Sequence, residues 1–387
     1  MFKTMKETNQ FEKKMNRTRL IFVGGFLGAG KTTLLYEATR YLMEKGKRVG
    51  LVTNDQAPDL VDSALLLQTR ANVAEVSGSC FCCNYNGLIS SLNQIKIESQ
   101  SDVIIAEPVG SCTDLSATIM QPFKDLQSND FQLSPLTVLA DPIRLKAILS
   151  GSSGGLHPSA AYILLKQIEE SDIIAISKSD ILVPKELTYL KELVSSRYPG
   201  SDVISISSKT GEGVHEWVEK VTGSHKVGYK IIQVDYDRYA EGEAVLGWLN
   251  ASVSLEGTET DWDNYLYLLM KNLSEKFGSN ALEVGHVKII ITNGLRTIIG
   301  NLTGKSETLQ FRGSAGISGK AGMIINARVE TSPSNLEEIV KKALALCPEE
   351  NIRVKILSWK CLSPGYPTPT YRYSRVVESA TSGFTNG

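Results

Sequence analysis

Two short clusters in this chain have residue types and spacings that could do chemistry. The first is Gly25-Phe26-Leu27-Gly28-Ala29-Gly30-Lys31-Thr32-Thr33, which has the spacing G-x-x-x-x-G-K-[ST]. Glycines at these positions let backbone N–H groups turn inward on one anion. A helix that begins at the lysine aims its N-terminus at the same anion. Lys31 would reach the β and γ oxygens of a nucleotide, and the Thr32 hydroxyl would ligate Mg²⁺. Gly25, Gly28, Ala29, Gly30, Lys31, Thr32 and Thr33 are therefore candidate nucleotide-binding residues. The second cluster is Cys80-Phe81-Cys82-Cys83. Soft thiolates this close select Zn²⁺, Cu⁺ or thiophilic Co²⁺ and Ni²⁺. Three ligands leave one tetrahedral position open, which suits transfer of a metal better than permanent binding. Buried structural cysteines or a redox pair are the alternatives. Cys112, Cys347 and Cys361 stand alone along the chain and read as core packing. The four histidines are scattered, so no His-rich metal store exists.

Carboxylates must complete the first cluster. The apolar run 103–106 ends in Glu107-Pro108-Val109-Gly110. Glu107 falls where a carboxylate that holds Mg²⁺ or its waters belongs, at the C-terminal end of a parallel strand. Gly110 allows the backbone to approach a γ-phosphate. An ordinary acidic loop residue is the other reading of Glu107. Asp55 follows the run 49–53 and is a candidate second carboxylate near Mg²⁺, with an Asx turn as the equal alternative. Gln56 is a candidate for orienting the attacking water. The catalytic candidates are then Lys31, Glu107 and Gln56.

Two later tetrapeptides bear on the base. Ser177-Lys178-Ser179-Asp180 follows the apolar run 173–176. It has the form of the Asn/Thr-Lys-x-Asp loop with which GTPases read guanine. Asp180 would accept from guanine N1–H and N2–H₂, donors that adenine lacks, while the Lys178 stem packs on the base. Ser177 departs from the usual Asn. Ser207-Ser208-Lys209 follows the run 203–207, as a base-capping turn does. Both occur after successive strands and in the right order, which favours GTP over ATP.

Elements must position these residues. Runs at 19–23, 49–53, 103–106, 136–140, 173–177 and 203–207 are strand-sized and apolar, and helical patterns separate several of them. That alternation predicts an α/β fold with a mostly parallel sheet. Beyond residue 229 the texture changes. Residues 242–255 read as a long strand, 261–277 as an amphipathic helix, and 287–292 with 297–302 as a hairpin turned by Asn293-Gly294. A strand at 321–329, a helix at 336–345 and a strand at 352–359 follow. This order predicts a smaller α+β domain of ferredoxin-like character. The expected domains are 19–221 and 229–361, with 1–18 and 362–387 as flexible or loosely docked tails.

Bulk properties narrow the classes. The chain has 387 residues, 42% hydrophobic and 21% charged, which predicts two soluble domains. A formal net charge of −1 gives no global field toward nucleic acid or an anionic membrane. Residues 1–18 do not read as a signal peptide, and no apolar run is long enough to span a bilayer. The expected location is cytoplasmic, where the cysteines should be thiols.

Taken together and in this order, the loop at 25–33, the Cys80-x-Cys82-Cys83 motif, Glu107-x-x-Gly110 and Ser177-Lys178-Ser179-Asp180 resemble the CobW/HypB/UreG family of P-loop GTPases, most closely its CobW-like branch. The resemblance covers residues 19–220. It implies GTP hydrolysis with Mg²⁺, a divalent metal, commonly zinc, on the three thiolates, and delivery to a client metalloprotein. A GTPase chaperone for a corrinoid protein, or a metal-responsive module with little turnover, are its rivals; self-association as a homodimer stays open. The chain departs from the family at Ser177 and at Thr53-Asn54-Asp55-Gln56, where many CobW-like proteins have Asn-Glu-Phe-Gly. A carboxylate that often assists the cysteines is thereby in question.

Overall fold

A computed structural model describes residues 17–55, 69, 71–77, 79–223, 227–294, 296–304, 309–346 and 352–378. The apolar run after Arg19 becomes strand β1 (Thr18–Gly25), which is central in a parallel sheet. Its companions are β2 (Val49–Asp55), β3 (Asn72–Ser77), β4 (Val103–Glu107), β6 (Thr137–Ala140), β7 (Ile173–Ile176) and β8 (Asp202–Ser205). The order is β3-β2-β4-β1-β6-β7-β8, and β5 (Phe131–Leu133) also pairs with β1. Every pairing is parallel.

Both faces of β1 are buried, which explains why the run is continuously apolar. Leu20 and Phe22 face a core with Leu88, Leu92, Ile163 and Leu164, from helices α2 (Tyr85–Ser99) and α5 (Pro158–Glu170). Ile21 and Val23 face the opposite core, with Leu34 and Leu35 of α1 (Lys31–Glu44) and Trp217 of α7 (Val214–Thr222). Each such side chain contributes about 1.5–3 kcal/mol by leaving water. Between these helices lie α3 (Gln121–Leu126), entered through a π-helical turn at Ser116–Met120, and α4 (Pro142–Leu149). α6 (Pro184–Arg197) packs beside β8. Because all the strands run one way, the ends of β1, β2, β4, β6, β7 and β8 share one edge.

The second sheet is antiparallel, in the order β12-β11-β10-β13-β9-β14. Its strands are β9 (Leu246–Asp261), β10 (Val284–Asn293), β11 (Arg296–Leu302), β12 (Gln310–Ser314), β13 (Ile317–Glu330) and β14 (Arg353–Leu362). Helices α9 (Trp262–Ser279) and α10 (Pro333–Ala345) connect β9 to β10 and β13 to β14, and bury one face of the sheet. The interleaved order β10-β13-β9-β14 is the split β-α-β arrangement of a ferredoxin-like core. The β11–β12 pair extends it at the β10 edge. Asp261 fixes the start of α9, its carboxylate accepting from Asp263 N and Asn264 N at 3.0 and 3.1 Å.

Two expectations change. Residues 236–244 overlap the strand expected from 242, yet Tyr236–Ala244 is helix α8, capped by Asp235 through Asp237 N and Arg238 N. Strand β9 therefore starts later, at Leu246, and runs on to Asp261. Residues 363–378, expected as flexible or loosely docked, dock on the first unit. Tyr373 N donates to Ala117 O at 3.0 Å, and Val377 N donates to Gln121 Oε1 at 2.8 Å. The two units meet through Arg144, which donates to Leu27 O and to Val284 O, each at 2.9 Å. Among the described residues no helix is long and apolar enough to cross a membrane.

Candidate nucleotide and metal site

The glycine loop connects β1 to α1, as its sequence demands. Gly25 has φ +133°, and a Cβ there would lie 2.4 Å from Leu139 O. Only glycine fits this turn against β6. Lys31 is buried, and its Nζ donates to Gly25 O at 2.9 Å. The same Nζ lies 3.9 Å from Glu107 Oε1. Thr32 Oγ1 donates to that carboxylate at 3.3 Å. Two neighbouring ligands of an octahedral Mg²⁺ stand about 2.9 Å apart, so this hydroxyl and carboxylate fit a Mg²⁺ after a small adjustment. The pocket is lined by Gly28, Ala29, Gly30, Lys31, Thr32 and Thr33, and by Glu107 and Gly110. A Cβ on Gly110 would come within 2.7 Å of Leu27 Cδ2 and 3.1 Å of Lys31 Nζ. That closeness keeps the Glu107–Gly110 segment hard against the phosphate loop.

The far end of the same pocket carries Lys178, Asp180, Ser208 and Lys209. Ser207 Oγ donates to Asp180 Oδ1 at 2.7 Å, which fixes the carboxylate's direction. Lys178, in the left-handed conformation with φ +49°, pairs with Asp141 at 2.9 Å. Burial raises the Asp141 carboxyl, but the charge and hydrogen bond of Lys178 outweigh it, and the group stays below its ordinary range. Ser177, where the family has Asn, donates to Ala140 O at 3.1 Å and tethers the loop to β6. Gln56 lies outside the described residues, and Asp55 is described only as the last backbone position of β2.

Sequence reasoning missed one wall of this pocket. His286, Lys288, Asn326 and Arg328, on β10 and β13, line it from the second unit. Lys288 Nζ donates to Thr32 Oγ1 at 3.4 Å. No motif marks these residues, since each sits in ordinary alternating strand sequence.

The thiols form a second, adjoining centre. The Cys80, Cys82 and Cys83 sulfurs lie within 4.8 Å of one another. Cys80 Sγ and Cys82 Sγ are 3.0 Å apart, and Cys82 Sγ and Cys83 Sγ 3.8 Å. Around a tetrahedral zinc the S···S distance is about 3.8 Å, so one pair must part by less than about 1 Å to fit. Phe81 points the other way, fully buried against Phe22. Asn84 then caps α2 by accepting from Gly87 N at 3.0 Å.

Cys112, alone in sequence, is buried in the core cluster that also takes in Cys80 and Cys82, as core packing predicts. Thiol hydrogen bonds, that of Cys112 first, hold Cys80 well below the usual thiol range against the opposing effect of burial. Cys82 and Cys112 are pushed well above that range, Cys82 chiefly by its bond with Cys112 and Cys112 chiefly by its bond with Cys80. Cys83 rises to about 11, first through its bond with Cys80. One thiolate among neutral thiols can take a dication, and the other thiols then release protons. Glu243 of α8 stands beside them, accepting from Ser111 Oγ at 2.5 Å. Burial first, then the Cys80 charge, raises its carboxyl to about 8.

One side chain joins the centres. Asn54, which lines the nucleotide pocket at the end of β2, donates to Val76 O and Ser79 O and accepts from Phe81 N, each at 2.8 Å. The docked C-terminal segment covers the outer side, where Thr370 N donates to Cys82 O at 2.8 Å and Tyr371 packs edge-on against Tyr85.

A parallel sheet with a glycine loop, a buried lysine and an opposed carboxylate at its C-terminal edge defines the class, a P-loop nucleotide-binding fold. Residues 19–205 match the family described as CobW/HypB/UreG, nucleotide-binding domain. The chain is 29% identical over 179 residues to zinc chaperone YeiR of Escherichia coli (strain K12), covering 44% of this chain and 49% of that protein. It is 26% identical over 212 residues to zinc chaperone CobW of a Sinorhizobium species, covering 49% and 58%. The chain thus spans about half the length of these curated relatives. Zn(II)-bound YjiA GTPase from E. coli aligns with TM-score 0.36 and 15% identity, over 87% of this chain and all of that one.

Proposed function

We propose that this chain is a GTP-hydrolysing metallochaperone that couples its nucleotide state to a metal held on Cys80, Cys82 and Cys83. The observation that carries the proposal is Asn54, which lines the pocket of the phosphate loop and holds the backbone of the cysteine turn at Ser79 and Phe81. GTP would lie along the pocket with its phosphates on Gly28–Thr33 and its base at Lys178, Asp180 and Ser207–Lys209. Thr32 and Glu107, and Asp55 on the sequence argument, would hold Mg²⁺ or its waters. Mg²⁺ supplies charge neutralisation at the β and γ oxygens; Lys31 adds a fixed cation on the same oxygens. Lys288 brings a further positive charge from the second unit. Water attacks the γ-phosphorus, the bond to the β,γ-bridging oxygen breaks, and GDP and phosphate leave.

Loss of the γ-phosphate frees Lys31 and the Gly110 backbone that packs on it. Movement of Asn54 reaches Phe81 and so changes the geometry of the sulfur ligands on either side of it. The cargo is assigned to a thiophilic divalent ion, zinc by analogy with the two zinc chaperones named above, and the recipient to a client metalloprotein.

The base assignment has its own test. Asp180→Ala should lower GTP affinity by about a hundredfold while leaving ATP affinity within about threefold, because a bidentate contact to guanine is lost. Competition of GTP and ATP against a fluorescent GDP measures this. An unchanged GTP preference would remove Asp180 from the base site.

A further inference from the structure

We infer that Lys288, carried by the second unit, is a catalytic residue of GTP hydrolysis, its ammonium being a cation that the antiparallel sheet lays on the terminal phosphate. The inference rests on the GTP reading above and adds a residue to its machinery.

The placement follows from how the second sheet sits on α1. One face of that sheet is covered by α9 and α10. On the other face, Ile290 of β10 and Ile299 of β11 are buried and pack with Ile324 and with Tyr36 of α1. Lys288 is two residues before Ile290 on β10 and so shares its face. Thr32 is four residues before Tyr36 on α1 and so shares its stripe. The apolar contact therefore brings Lys288 to Thr32, where Nζ donates to Oγ1 at 3.4 Å.

Further contacts fix this arrangement. Arg312 of β12 pairs with Glu37 of α1 at 3.2 Å, and its guanidinium lies over the Tyr36 ring. A Cβ on Gly28 would lie 2.6 Å from Thr303 Cγ2 and 3.1 Å from Gly285 O, so the phosphate loop itself packs on the second unit.

Lys31, Glu107, Thr32 and Lys288 form a row with successive contacts of 3.9, 3.3 and 3.4 Å. Neighbouring oxygens around an octahedral Mg²⁺ are about 2.9 Å apart, so a γ-oxygen beside Thr32 Oγ1 comes within reach of Lys288 by a turn of the lysine stem. A dication on Thr32 Oγ1 would repel the ammonium from that hydroxyl and toward the phosphate. The neighbouring polar side chains are held by other groups. His286 Nε2 and Asn326 Oδ1 share a hydrogen bond at 2.7 Å. Arg328 donates to Leu249 O and Asn250 Oδ1, each at 3.2 Å, and stacks on Trp248.

In the reaction the water oxygen bonds to the γ-phosphorus. The bond from that phosphorus to the β,γ-bridging oxygen breaks, its electron pair leaves with GDP, and the water's protons pass to phosphate and solvent. Lys288 keeps its own proton and donates hydrogen bonds to the γ-oxygens, where the transition-state charge is spread.

The test uses the full-length protein with Mg²⁺. Lys288→Met removes the charge and keeps a flexible stem. Its kcat for GTP should fall by about a hundredfold, and Lys288→Arg should recover to within about tenfold of the original. In direct binding, Lys288→Met should lose about tenfold in affinity for a non-hydrolysable GTP analogue and stay within about threefold for GDP, which lacks the γ-phosphate. Arg312→Ala, which loosens the same packing, should keep kcat within about threefold. A Lys288→Met kcat within about threefold of the original would overturn the assignment. So would equal losses for the GTP analogue and GDP, or an equal loss of kcat in Arg312→Ala. In those cases GTP binding by the unmodified protein leaves the nucleotide reading standing. An unmodified protein that binds no GTP would overturn both. If Lys288→Met does not fold, Lys288→Gln takes its place in the same measurements.

Discussion

Cys82→Ser should weaken zinc binding by about a hundredfold or more, equivalent to about 2.8 kcal/mol. Cys82 is the central sulfur of the turn, 3.0 Å from that of Cys80 and 3.8 Å from that of Cys83. A serine hydroxyl is nearly the same size but does not ionise at neutral pH, and it is a hard donor. The substitution therefore removes a ligand while leaving the volume almost unchanged. The contact between the docked C-terminal segment and this residue uses its backbone oxygen, so it survives. Competition with a chelator of known affinity, in reductant, measures the loss. GTP binding should be within about threefold of the original. Zinc affinity unchanged within about twofold would mean that the three-sulfur turn is not the metal centre.

The second large effect is expected at the other end of the connection. Lys31→Ala should lower GTP turnover by about a hundredfold to a thousandfold, the usual cost of removing a charge aimed at the transferring phosphoryl group. Lys31 is buried, tied to Gly25 O and close to Glu107, so its ammonium is already oriented before a nucleotide arrives. Phosphate-release assays at saturating GTP and direct GDP binding should both fall. Zinc binding at the thiols in the absence of nucleotide should persist. That split separates the nucleotide site from general unfolding, which would remove both. Turnover that survives Lys31→Ala would contradict the phosphate-loop assignment.

The sequence made some of this legible and hid the rest for physical reasons. Gly25, Gly30, Lys31 and Thr32 are readable because a phosphate cradle needs particular residue types at fixed spacing, with a strand before and a helix after. The parallel sheet is readable because strands buried on both faces carry continuous apolar runs, as β1 does at 20–23 and β4 at 103–106. The ferredoxin-like order follows from the sequence of strand and helix patterns, although its first strand did not. Asp235 caps a helix at Tyr236, and the expected strand begin falls inside that helix. The strand β12 carries no apolar period because all its residues are exposed.

The segment 363–378 looked aperiodic because it docks as extended chain on a surface made by other elements. Its anchors are single contacts, such as Arg372 Nε on Asp114 Oδ2 at 2.7 Å and Tyr373 OH on Asp125 Oδ2 at 2.6 Å. Lys288 and Arg328 were hidden likewise. Their role at the pocket comes from the packing of one unit on another, and their strand positions look like any others.

Coupling between the two centres is the central claim, and one measurement reaches it directly. Zinc affinity is determined for the same protein bound to a non-hydrolysable GTP analogue with Mg²⁺ and bound to GDP with Mg²⁺, both in reductant. The connection through Asn54 predicts affinities that differ by about tenfold or more, or about 1.4 kcal/mol of coupling. Affinities equal within about twofold in the two states would contradict the account.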